Sequence, residues 1–157
     1  MLVRFTKGSS ADTLTCVRPD GSTTGLEMPR QGILPHEAFH FVIESTLGWR
    51  DAFFGRIAEG RAADHVQALL HGEPVQWSKI AQGLQAEALI ECLETEQWGG
   101  RQDPADFAQK LVASCRRRSV PPPEISPEEL NAVRTALRKF GAAWRPLGAG
   151  ASLERTF

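Results

Sequence analysis

Apolar and polar residues alternate over residues 2–6 and again over residues 13–18, with β-branched side chains recurring in both stretches. A period of two marks strands with one buried face. Pro19-Asp20-Gly21-Ser22 supplies a turn before a third such stretch, residues 23–28, so two or three antiparallel strands open the chain. After residues 29–32 the period lengthens. Pro35 suits the first turn of a helix, where its missing N–H costs nothing, and Phe39, Val42, Ile43 and Leu47 then form an apolar stripe. Gly48 can close that helix in a left-handed cap.

Helical spacing continues through residues 51–59, where Phe53, Phe54 and Ile57 precede Gly60, and through residues 62–70, ahead of Gly72 and Pro74. The longest helical pattern covers about residues 78–98 and stops at Gly99-Gly100; Ile80, Leu84, Ala88, Leu89, Ile90 and Leu93 cover most of its circumference, as expected of a central, buried helix. Asp103-Pro104 opens another, which runs into Arg116-Arg117-Arg118, charges that suit a helix C-terminus. Three prolines make residues 120–124 an extended connector. Ser126-Pro127-Glu128-Glu129 then provides an N-cap, an N1 proline and a capping-box glutamate, and Leu130, Val133, Leu137 and Phe140 carry the last helix to Gly141. Residues 151–157 alternate weakly and are expected to return as a strand beside the N-terminal hairpin.

These elements predict an α+β fold, a small antiparallel sheet of three to four strands packed with four to five helices. The expected organisation is a single domain over residues 1–157, with 1–33 as the N-terminal hairpin or meander, 34–145 as the helical part and 151–157 as the returning strand.

Composition adds little preference for a partner. The chain is 41% hydrophobic and 24% charged with a formal net charge of −1, which gives no global attraction to nucleic acid or anionic membrane. No apolar run approaches the ~20 residues needed to span a bilayer, and the early charge at Arg4 does not fit a secretory leader. The three cysteines, Cys16, Cys92 and Cys115, are odd in number and form no C-x-x-C pair, so neither a disulfide framework nor a thiolate zinc site is expected. A cytoplasmic location fits these features. A protein partner or a homo-oligomer is left open.

One segment looks like chemistry. His36-Glu37-Ala38-Phe39-His40 has the H-E-x-x-H order, a pattern that arises by chance in roughly one chain in a hundred or fewer at average residue frequencies. Residues four apart share a helix face, so the two imidazoles are placed to grip one divalent metal, with Glu37 beside them as a general base. An imidazolium in the first helical turn would face the positive end of the macrodipole, so His36 is expected to stay neutral. The motif resembles that of the zincin metallopeptidases, and the resemblance implies that His36 and His40 are zinc ligands and that Glu37 activates a metal-bound water. It covers five residues; neither the His-x-x-Gly-x-x-His extension nor the downstream Asn-Glu-x-x-x-Asp segment follows. The wider order Leu34-Pro35-His36-Glu37-x-x-His40-x-x-x-Glu44, then Leu47-Gly48 and Phe54-Gly55, is similar to a group of uncharacterised bacterial proteins, a resemblance that implies no activity.

Catalytic zinc takes three protein ligands and a water. Glu44 continues the i, i+4 series, but eight residues of helix separate it from His36 by roughly 12 Å, too far for the same ion. Glu87 and Glu91 share a face of the central helix with Ile80, Leu84 and Trp98, so two carboxylates are expected inside an apolar stripe, where each needs a partner. Glu87 is the preferred third ligand, with Glu91 and Glu94 as alternatives. Two readings follow: a zinc-dependent hydrolase, or a non-catalytic protein-interaction domain in which the histidines lie on a helix surface and Glu44 satisfies His40.

Other motifs point to structure. Arg116-Arg117-Arg118 with Lys110 lacks an accompanying nucleic-acid module, so a solvated helix end is expected. His65 and His71 are six apart, which does not suit one helix face. Cys92 and Cys115 are expected to fill core, and Trp49, Trp77, Trp98 and Trp144 to pack near helix ends.

Overall fold

The computed structural model describes residues 1–30, 33–71 and 81–157. Among them lie four strands and six helices in the order β1 (Leu2–Thr6), β2 (Asp12–Val17), β3 (Thr23–Met28), α1 (His36–Leu47), α2 (Phe53–Ala58), α3 (Ala63–His71), α4 (Ala81–Gly99), α5 (Pro104–Arg117), α6 (Pro127–Trp144) and β4 (Ser152–Thr156). The architecture is α+β. Six helices rather than four or five arise because the two patterns between residues 51 and 71 form separate helices, α2 and α3, divided at Gly60 (φ 104°).

The sheet is antiparallel throughout, with strand order β3-β2-β1-β4. The returning tail therefore pairs with the first strand, opposing Leu2 to Thr156 and Thr6 to Ser152. Alternation decides the faces. Val3, Phe5, Leu14, Cys16 and Met28 point into the core, while Arg4 meets Glu154 at 2.7 Å and the Thr6 hydroxyl meets that of Ser152 on the other side. The last residue is tied down as well: the Met1 ammonium and the Phe157 amide each donate to the other residue's carbonyl at 2.9 Å, and the Phe157 ring packs on Phe54 and Phe41.

Helix α1 packs against α6, α4 and α2, and its Phe41 stands edge-on to Phe5 of the sheet at 5.8 Å. Pro35 is its N-cap, and Gly48 ends it in the left-handed conformation (φ 68°, ψ 25°). Helix α4 is buried over most of its circumference along its middle, with Gln85 and Glu91 half-buried. Leu84, Ala86, Ala88, Leu89, Ile90, Cys92 and Leu93 are all buried, and it packs against α1 and α5. The expected start of this helix at residues 78–80, with Ile80, lies outside the described residues, as do Gly72, Pro74 and Trp77.

The caps follow the sequence chemistry. Asp103 accepts a hydrogen bond from the Ala105 amide with Pro104 at N1, and Ser126 and Glu129 form a reciprocal capping box. Helix α6 runs past Gly141 to Trp144, because Trp144 (3% exposed) completes the buried stripe begun by Val133, Leu137 and Phe140. Among the described residues no helix is long and apolar enough to cross a membrane.

Candidate metal centre

The i, i+4 spacing places His36 and His40 on the same side of α1, and that side faces α4. Nε2 of His40 lies 2.9 Å from Glu87 Oε1, and Nε2 of His36 lies 3.3 Å from Glu87 Oε2. Ligand atoms of His36, His40 and Glu87 all fall within 4.8 Å of one another. No other group of His, Cys, Asp and Glu with metal-holding geometry occurs among the described residues. The three residues were expected together, and the structure brings them together.

Each ring is also held from behind. His40 Nδ1 donates to Glu44 Oε1 at 3.2 Å, and His36 Nδ1 lies 3.4 Å from Glu94 Oε1. Both imidazoles thus aim Nε2 at one shared carboxylate and Nδ1 at a second one. Glu44 is fully buried and is fixed in turn: its other oxygen accepts from the amides of Phe54 at 2.8 Å and Gly55 at 3.1 Å. Gly55 is required there by space, since a Cβ would fall 1.9 Å from the Arg50 carbonyl oxygen. The Leu47-Gly48 and Phe54-Gly55 pairs in the sequence are therefore the turn and the amide source that let α2 clasp the far end of α1.

Angular position on α4 explains which carboxylates reach the site. Measured at 100° per residue, Glu94 lies about 20° to one side of Glu87 and Glu91 about 40° to the other. Glu94 accordingly reaches His36. Glu91 does not: its side chain is 45% exposed and turned to α5, where it accepts from the Ser114 hydroxyl and pairs with Arg117 and Arg118. The expectation of two carboxylates inside an apolar stripe holds for Glu87 alone, which is 6% exposed. The same pairing neutralises part of the Arg116-Arg117-Arg118 run.

Glu37 is buried on α1 (4% exposed) but stands outside the group whose ligand atoms converge, and no hydrogen bond or ion pair ties it to another described residue. His65 is exposed on α3, and the side chains of His71 and Trp98 lie outside the described residues. Cys16, Cys92 and Cys115 are buried thiols, and burial pushes Cys16 up to about 12 and Cys92 to about 11.

Electrostatics reverse one expectation. Burial opposes a charge on either histidine, yet the hydrogen bonds and charges of Glu87 and Glu94 raise His36 to about 10, and those of Glu44 and Glu87 raise His40 to about 9. The expected neutral His36 is incorrect for the metal-free protein, because two carboxylates within hydrogen-bonding distance outweigh the helix macrodipole. Glu87 moves the opposite way: burial works against its charge, but the two histidines hold it well below the usual carboxylate range. The helix-surface reading of the histidines also fails for His40, which is 1% exposed.

Against models of known protein families, curated protein sequences and solved structures, the chain finds no match.

Proposed function

We propose that His36, His40 and Glu87 are the protein ligands of one divalent metal ion, and that the domain functions through that centre. The observation carrying this reading is the double orientation of the rings: two Nε2 atoms converge on Glu87 while each Nδ1 is held by its own carboxylate, Glu44 or Glu94. Metal-ligating histidines are ordinarily arranged this way, with a second carboxylate fixing the tautomer and the ring plane. Two imidazoles and one carboxylate suit zinc, and a set of three leaves a fourth position for water.

A hydrolase is the activity this donor set supports best. A bound ion would supply Lewis acidity and a water of lowered pKa. The chain supplies the rest: Glu44 and Glu94 hold the rings, and packing shields His40 and Glu87 from water while His36 stays one-third exposed, on the side open to a substrate. Glu37, adjacent to His36 in sequence, is the base that the zincin resemblance implies.

The second reading is a non-catalytic domain in which the five side chains are a structural polar network. It is favoured by their mutual satisfaction without an ion, since no buried side-chain nitrogen or oxygen among the described residues lacks a hydrogen-bond partner.

Elemental analysis of tag-free protein after dialysis against zinc distinguishes the two. The metal reading expects about one equivalent per chain, lost in Glu87→Gln. Less than about a tenth of an equivalent would overturn it. With metal bound, Glu37→Ala separates roles: retained zinc without turnover marks a base, and lost zinc marks a scaffold.

A further inference from the structure

A cleft of about 340 Å³ opens between the end of α4, the end of α6 and the segment leading into α1. Its apolar wall is Ile33, Leu34, Leu93 and Leu137, and its remaining lining includes Arg101, Arg134, Arg138 and Arg145 against one acid, Glu96. We propose that this cleft binds a small amphipathic anion, an apolar body against the leucines with a carboxylate or phosphate head on the arginines. The proposal does not rest on the metal centre.

Four observations support it. The first is size: the volume lies at the lower end of the range for small-molecule sites, roughly 300–1,000 Å³. The second is charge. Glu96 is taken by Arg134, which it holds at 2.7 and 2.8 Å while the guanidinium lies over the Phe107 ring, and by the Gln102 backbone amide, which donates to it at 3.2 Å. Arg101, Arg138 and Arg145 have no acidic partner within salt-bridge distance among the described residues. In a chain of net charge −1, three uncompensated guanidiniums around one apolar slot are a local excess that an oxyanion would neutralise. The third is exposure. Ile33, at 37%, is one of only two large hydrophobic residues left exposed among the described residues, and it lies on the cleft. The fourth is Gly141. A Cβ there would sit 3.7 Å from the Arg145 guanidinium and 3.8 Å from Leu34, so the glycine leaves the floor open between charge and apolar wall.

Each requirement on the ligand has a source. The guanidiniums donate in a fork that suits carboxylate or phosphate, and the one lining carboxylate, Glu96, is already taken and does not accept a cationic head. The leucines reject a wholly polar anion because it would leave them wet.

Calorimetric titration of the full chain with octanoate, octyl phosphate and 1-octanol, in the presence and absence of zinc, tests the proposal. The expected result is millimolar or tighter binding of octanoate or octyl phosphate, at least about tenfold stronger than 1-octanol, whether or not zinc is retained. Whichever head binds more tightly identifies the anion. Replacing two of the three exposed arginines (Arg138→Gln with Arg145→Gln) should weaken that anion by about tenfold or more, and Gly141→Leu should abolish binding by filling the slot. Equal affinity for 1-octanol, no binding of either anion at several millimolar, or unchanged binding in both folded variants would overturn it. Circular dichroism confirms that the variants fold, and a protein that fails to bind zinc but binds the anion separates this site from the metal reading.

Discussion

Zinc uptake should release protons in a number set by the histidines' carboxylate partners. In the metal-free protein, His36 is raised to about 10 and His40 to about 9, so both rings are protonated near neutral pH. Ligation through Nε2 must remove one proton from each, while the Nδ1 protons stay on their hydrogen bonds to Glu94 and Glu44. Each ion bound should therefore expel about two protons, and apparent affinity should rise about 100-fold per pH unit between roughly pH 6.5 and 8.5. Two isolated histidines with a pKa near 6.5 would be only about a tenth protonated each at pH 7.5 and would release about 0.2 proton together. The assay is zinc titration calorimetry at pH 7.5 in buffers of different ionisation enthalpy, whose heats report the proton count directly. Zinc binding with release of fewer than about half a proton would refute the reasoning, because it would mean that Glu87, Glu94 and Glu44 do not hold the rings charged.

Three further perturbations test the frame around the site. Glu44→Ala leaves the Phe54 and Gly55 amides and His40 Nδ1 without their buried acceptor, which should cost about 3–5 kcal/mol in urea denaturation; a loss below about 1 kcal/mol would contradict the assigned bonds. The metal-free protein should lose stability as pH rises: the imidazoles are raised from 6.5 to about 10 and about 9, so their contribution is complete below 6.5 and disappears as pH climbs through those folded values. Glu87, depressed from 4.5, contributes above that value and loses its effect only well below it, so the network is strongest between 4.5 and 6.5, and Glu87→Gln should flatten the alkaline loss seen by urea midpoints at pH 6 and 9.5. Gly141→Ala should stabilise by about 0.5–1 kcal/mol, since the position is helical and the added methyl meets only ordinary contacts of 3.7–3.9 Å; a destabilised thermal midpoint would show that the cleft floor is tighter than its geometry.

The strands and caps were legible in the sequence because their signals are local. Alternation at Val3, Phe5, Leu14 and Cys16 sets the buried face of the sheet, and Ser126 to Glu129 writes the start of α6 within four residues. The i, i+4 pairing of His36 and His40 was legible for the same reason, and Glu87 followed from a charged residue interrupting the buried face of α4. What the sequence left open was set by partners distant along the chain. A rotation of about 60° separates Glu94 from Glu91 around α4, and only the placement of α1 and α5 decides which of them meets a histidine and which meets the arginines. The protonation of His36 likewise depends on carboxylates 51 and 58 residues away, which the macrodipole argument did not include. The role of Glu44 was half visible: its spacing pointed to His40, but the amides of α2 that hold its other oxygen come from the fold.

The pairing of β4 with β1 has a mechanical consequence for chemistry far from the sheet. Phe157 leans on Phe54 at 5.7 Å, the Phe54 amide grips Glu44, and Glu44 holds the ring of His40. Fraying of the last strand would thus be felt at a histidine more than a hundred residues away in sequence, through one ring contact and two hydrogen bonds. The hydrogen bonds joining Met1 and Phe157 act as a latch on that chain of contacts. A binding partner that peeled β4 from the sheet edge would loosen α2, and with it the clasp that aims His40 at Glu87.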